Sequence, residues 1–145
     1  AFARCRARME RPTPRVALGM ALRGIAHAAI DVSDGLLGDL GHILARSGYG
    51  AQVQTRWLEG SAATSADLLD LSWNKRLDMA LAGGDDYELL FTAPRAMRER
   101  VNAAAHDCNV AVTCIGDITE QPGLRVLDPQ GQPLLRRFAS FDHFA

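Results

Sequence analysis

Two stretches of this 145-residue chain set acidic side chains beside glycines and next to apolar runs. The first is Ala29-Ile30-Asp31-Val32-Ser33-Asp34-Gly35-Leu36. Two carboxylates and a hydroxyl stand there between a strand pattern and a helix pattern. Carboxylates repel phosphates, so acids alone make a poor phosphate site. With Mg²⁺ between them they make a good one, because that ion takes one or two carboxylates together with phosphate oxygens. The start of a helix adds N–H groups and a positive dipole end, and Ser33 offers a hydroxyl. The same spacing fits plain capping, with Ser33 as N-cap, Asp34 in the first helical turn and Asp31 at a strand end. Spacing alone leaves both readings open.

The second stretch is Ala82-Gly83-Gly84-Asp85-Asp86-Tyr87-Glu88-Leu89-Leu90-Phe91. Its glycines permit left-handed backbone or a close approach to a ligand. Its two adjacent acids precede an apolar strand pattern, a common place for ligand-binding groups. A helix C-cap followed by a solvated acidic turn explains it equally well. A third group, Ser140-Phe141-Asp142-His143-Phe144, closes the chain with two aromatics around a histidine. It reads either as a tail docked on the core or as a stacking site for a ligand. His42 lies on the polar flank of its helix beside Asp39, a structural or exposed position rather than a catalytic one. No side chain stands out as a general base or a nucleophile.

The elements that must hold these groups follow from periodicity. Pro12 and Pro14 break the chain, so residues 11–15 read as a linker after a short amphipathic segment. Val16 to Gly24 reads as a short helix, and Ala28 to Asp31 as a buried strand. Leu36, Leu37, Leu40, Ile43 and Leu44 fall within an arc of about 120° on a helix that Gly48 ends. Ala51 to Thr55 reads as a strand. Ser61 to Leu71 and Asn74 to Ala82 read as helices, the second stopped by Gly83 and Gly84. Tyr87 to Thr92 is a dense apolar run expected to be buried on both faces. Pro94 opens a further helix, and Val110 to Ile115 reads as a strand. Asp128-Pro129-Gln130-Gly131 fits a type I turn between Leu124–Leu127 and Pro133–Leu135. Strands alternating with helices predict an α+β fold, layered α/β/α around a mixed β-sheet.

Composition narrows the function classes. Apolar residues make up 48% and charged residues 23%, which suits one folded core and argues against disorder. No apolar run approaches the ~20 residues of a membrane span. The net charge of −1 disfavours a dedicated nucleic-acid binder, and 6% aromatics disfavours a stacking platform for single strands. Charge is uneven: Arg4, Arg6, Arg8, Arg11, Arg15 and Arg23 face only Glu10 in the first 25 residues, and the remainder is acidic. The basic head lacks the apolar core of a secretory signal and a starting Met, so the chain is expected to be a piece of something longer. Cys5, Cys108 and Cys114 match no zinc or redox spacing, which fits a reduced cytoplasmic protein.

Arg11-Pro12-Thr13-Pro14-Arg15, the Asp31–Leu36 stretch with Asp39-Leu40-Gly41-His42-Ile43, the Gly83–Thr92 stretch and Phe141-Asp142-His143-Phe144 occur in that order. Together they resemble the C-terminal half of the thiamine-monophosphate kinase family. Its superfamily includes aminoimidazole ribonucleotide synthetase and selenophosphate synthetase. The resemblance runs from Arg11 to the end. It implies a domain like the C-terminal domain of aminoimidazole ribonucleotide synthetase. It also implies transfer of the γ-phosphate of ATP to thiamine monophosphate with Mg²⁺. It places Asp31 and Asp34 on the metal and Ser33 on ATP. Asp85 would contact substrate where many relatives carry Glu, and Phe141 would stack on substrate where many carry Trp. No general base is needed, because the attacking phosphate is already anionic. Residues 1–14 would end an upstream segment and linker, and residues 15–145 would form the substrate-side domain. The family's N-terminal half, which supplies most of the ATP pocket and the homodimer contact, lies outside this chain. The chain alone is therefore expected to fold without turning over. No nucleic-acid or membrane partner is expected. A superfamily cousin acting on another substrate, or a non-catalytic binding or assembly domain of the same fold, are the rival readings.

Overall fold

A computed structural model describes residues 6, 10–59, 70–84, 87–135 and 138. Its regular elements are, in chain order, α1 (Val16–Ala21), β1 (Ala28–Asp31), α2 (Leu36–Ser47), β2 (Gly50–Gln54), α3 (Trp73–Ala82), β3 (Leu89–Thr92), α4 (Arg98–Asp107), β4 (Gly116–Thr119) and β5 (Gly123–Leu127). Single 3₁₀ turns cover Thr55–Glu59 and Arg95–Met97.

The β1–β3 ribbon is the centre of the arrangement. The two strands pair antiparallel, with Ile30 opposite Leu90 and Asp31 opposite Leu89. Side chains alternate across a strand, so β3 can serve two cores at once. Leu90 joins a large apolar cluster with Val32, Leu40, Leu44, Leu77 and Leu81. Leu89 and Phe91 pack against a second cluster of Leu18, Leu22, Ile25, Ala104 and Ala105. Helices α2 and α3 thus cover one face, and α1 and α4 the other. This is the α/β/α layering; the Tyr87–Thr92 run expected to be buried on both faces does contact apolar clusters on both, but only Leu90 is fully buried and Tyr87 is exposed. The strand begins later than Tyr87, because Tyr87 adopts a left-handed backbone (φ 49°) that a strand excludes.

A second, three-stranded sheet has the order β4-β2-β5. β2 runs antiparallel to β4 and parallel to β5, so this sheet is mixed as expected. Val53 and Val126 carry it into the large cluster, with Ala51 and Leu58. The turn after β5 is the one the sequence specifies. Gly131 N–H donates to Asp128 O at 2.9 Å, and Asp128 Oδ1 accepts from Gln130 and Gln132 N–H. Leu127 then bridges Pro133.

Two expectations shift. Val110–Ile115 forms no strand; pairing begins at Gly116. Val110, Val112 and Ile115 are half-buried against the two clusters, and Ala111 and Cys114 are exposed. Their backbone is satisfied elsewhere, with Val110 N–H on Ala105 O at 2.9 Å and Ile115 O accepting from Gln54 N–H at 2.8 Å. Pro94 leads first into the Arg95–Met97 turn and only then into α4. The amphipathic segment expected before residue 10 and the helix expected over Ser61–Leu71 fall largely outside the described residues. Among the described residues, no helix is long and apolar enough to cross a membrane.

Leu81 is fully enclosed and Leu135 is 97% exposed. Leu81→Ala is expected to cost about 2–5 kcal/mol of stability and Leu135→Ala less than about 0.5, read from denaturant midpoints at constant slope.

Candidate functional site

Beyond Asp31 the β1–β3 pairing continues for one more residue. Val32 N–H donates to Glu88 O at 2.8 Å, and Tyr87 N–H donates to Val32 O at 3.0 Å. This exchange draws the Asp31–Gly35 loop against the Gly83–Gly84 turn, so two stretches that the sequence separates by about fifty positions share one place. The backbones approach closely. A Cβ built on Gly84 would fall 2.2 Å from Ser33 O, and one on Gly35 would fall 2.9 Å from Ala82 O. Gly35 also has φ 103°, which other residues rarely adopt. Asp85 and Asp86 follow this turn directly in the chain but lie outside the described residues, as does Phe141 with the rest of the tail from residue 139 on.

The start of α2 differs from the capping scheme read from the sequence. The helix begins at Leu36 and its N-cap is Gly35, with no side-chain cap bond. Ser33 is not the N-cap, and Asp34 precedes the first turn. The missing role is filled from within the helix. Asp39 Oδ2 accepts from Ser33 N–H at 2.9 Å and from Asp34 N–H at 3.1 Å. Asp39 is only 2% exposed. Its negative charge sits near the positive end of the α2 dipole, which favours it there. The amides just ahead of the helix are thus already satisfied by a protein carboxylate and are not spare donors for a phosphate. The sequence pattern alone gives Asp39 no role. Its signal was its phase, since it sits three after Leu36 and four before Ile43, on the flank of the buried arc.

The expected acids are spread over two sides of this loop. Asp31 is exposed and lines a cleft of about 410 Å³ with Pro12, Pro14, Arg15, Tyr87 and Glu88. Asp34 is half-buried and groups with Asp39 and the exposed His42, their potential ligand atoms all lying within 4.8 Å of one another. Asp31 is not part of that group. Ser33 is half-buried between the two acids. The Asp34 group is mixed, two carboxylates and the His42 imidazole, with the Asp31 carboxylate outside it; the carboxylate oxygens and the Ser33 hydroxyl suit a hard cation such as Mg²⁺, and the imidazole nitrogen does not favour one. Arg15 closes the cleft with a two-pronged bond to Glu88: Nε to Oε2 at 2.8 Å and Nη2 to Oε1 at 2.8 Å. Those hydrogen bonds raise the Arg15 pKa above its ordinary value. Partial burial opposes the rise and the charge of Glu88 adds to it.

Residues 4–129 match the family model described as AIR synthase related protein, C-terminal domain. The chain belongs to this family. A curated relative, thiamine-monophosphate kinase of Haemophilus influenzae, is 45% identical over 139 residues, which is 92% of this chain. The chain spans 41% of that relative's length. Among solved structures, thiamine-monophosphate kinase from Stenotrophomonas maltophilia K279a superposes with a TM-score of 0.77 at 45% identity, covering 89% of this chain and 39% of that one. AaThiL complexed with AMPPCP and TMP gives a TM-score of 0.70 at 30% identity, covering 95% and 40%.

Asp39→Ala would strand two N–H groups beside a buried site and is expected to lower stability by about 1–3 kcal/mol. Asp39→Asn keeps an oxygen acceptor and is expected to cost less. Chemical denaturation of the three proteins checks the order.

Proposed function

We propose that this chain is the C-terminal, substrate-side part of an ATP-dependent kinase that converts thiamine monophosphate to thiamine diphosphate. The observation that carries this reading is the joining of the Asp31–Gly35 loop to the Gly83–Gly84 turn through Val32 and Tyr87–Glu88. That junction brings the loop that carries Asp31, Ser33 and Asp34 against the Gly83–Gly84 turn. The similarity to thiamine-monophosphate kinases along most of the chain supports the assignment. The AaThiL complex with AMPPCP, a non-hydrolysable ATP analogue, and TMP supports the pair of substrates.

In this reading an oxygen of the thiamine phosphate attacks the γ-phosphorus of ATP. The bond from that phosphorus to the bridging oxygen breaks, and ADP leaves with the bond's electrons. Both reactants are polyanions, so their repulsion is the main barrier this part of the protein must lower. Asp31 and Asp34 would hold Mg²⁺, which when bound supplies the positive charge that offsets that repulsion. Ser33 donates its hydroxyl to ATP. Asp85 and Phe141 bind the thiamine portion, Asp85 through its carboxylate and Phe141 by stacking. The attacking phosphate needs no general base. Residues 15–145 form the substrate-side domain, and residues 1–14 lead in from an upstream part that supplies most of the nucleotide pocket and the dimer contact. The chain on its own is therefore inactive. Its described cysteines, Cys108 and Cys114, are free thiols, which supports a cytoplasmic setting.

The test uses the full-length polypeptide that carries this chain, assayed for thiamine diphosphate. Asp31→Asn and Asp34→Asn are each expected to lower kcat/KM by about 10²-fold or more, the scale of losing one electrostatic contact to the transition state. Activity that survives both changes would overturn the metal assignment.

A further inference from the structure

Glu88 does two things at once. Its backbone oxygen holds Val32 N–H, and its side chain takes both prongs of Arg15, which lies 73 positions away in sequence. Pro12 and Pro14 stiffen the segment that delivers Arg15. The preceding residue, Tyr87, is held at φ 49°. A tyrosine keeps that backbone only where its surroundings over-determine it, and such strain gathers at functional sites. Asp31 lines the same cleft as Arg15, Tyr87 and Glu88. The Arg15 side chain is 24% exposed and that of Glu88 is 41% exposed. An ion pair so open to solvent adds little to global stability. Its forked geometry, by contrast, fixes orientation in a way a single point charge does not.

We propose that Arg15 and Glu88 are a positioning pair, a fork that sets the Tyr87–Leu89 turn and, through Val32, the Asp31–Asp34 loop for phosphoryl transfer. The catalytic consequence rests on the kinase reading above. Neither residue touches the reacting atoms in this proposal. The incoming linker is thereby tied to the metal-holding loop, so that whatever precedes residue 12 is placed relative to Asp31.

The experiment compares the intact protein with Arg15→Lys, Glu88→Gln and the Arg15→Lys/Glu88→Gln pair. Arg15→Lys keeps the charge and removes the fork. Each single change is expected to lower kcat about tenfold, as a small misplacement of reacting groups does, while the KM for ATP stays within about twofold. The double variant is expected to lie within about twofold of either single one, because both changes break one interaction. Hydrogen exchange at the Val32 and Tyr87 amides should quicken about tenfold in all three, with the amides of α2 unchanged. Exchange rates equal to wild type, or losses in kcat that multiply in the double variant, would overturn the pair. Exchange that quickens equally throughout the protein would also overturn it, by making the role merely structural. If the unaltered protein forms no thiamine diphosphate, the kinase reading fails, and the exchange rates alone then decide whether the fork sets the loop.

Discussion

A carboxylate folded back under the start of its own helix is the contact around which the site is arranged. Asp39 is almost fully enclosed, and enclosing a charge is costly unless hydrogen bonds and nearby dipoles replace the lost water. Here two amides point at one oxygen, and the helix start adds its partial positive charge. Each bond to an ionised acceptor contributes about 1.5–3 kcal/mol, so the enclosure is sustainable only while both amides stay in place. The converse also holds. Ser33 and Asp34 keep their backbone course because Asp39 anchors it, and their side chains are thereby presented from a fixed loop.

Backbone contact does the rest. Ser33 O lies so near Gly84 that no side chain fits between them, and Ala82 O excludes one at Gly35 in the same way. The two loops therefore meet through glycine on both sides, with Val32 as the rung that joins them. Rigidity at this junction comes from main-chain atoms. Asp31 and Tyr87 stay exposed beside it, and Ser33 is half-buried.

The regular elements were legible where one physical rule governed a whole segment. The leucine phase of α2, the left-handed stop at Gly48 and the hydrogen-bonded turn at Asp128–Gly131 each follow from local chemistry. The strand at Ala28–Asp31 was legible from its short apolar run, but Ala29 and Asp31 are exposed and Ala28 and Ile30 only half-buried, so it is not the buried strand that the run implies. What local rules missed were the long-range contacts. Ser33 looks like a cap because serine usually is one; Asp39, reaching back from the helix, took the acceptor's place instead. Val110–Ile115 has the alternation of a strand, yet its backbone partners come from a helix end and from the end of β2, and no ladder forms. Arg15 and Glu88 lay inside recognised motifs without roles, because nothing in the local sequence ties a linker arginine to a glutamate 73 positions on.

The residues around the cleft combine a few charged groups with a largely apolar wall. Its described lining holds two acids, Asp31 and Glu88, and one cation, Arg15. Arg15 places both prongs on Glu88, so the charges of that pair offset each other. An anion arriving beside Asp31 alone would be repelled. The same anion arriving with a divalent cation would be drawn in, since the cation reverses the sign of the local charge and binds carboxylate and phosphate oxygens alike. A carboxylate whose neighbouring arginine is already engaged thus favours a ligand that brings positive charge over a bare anion.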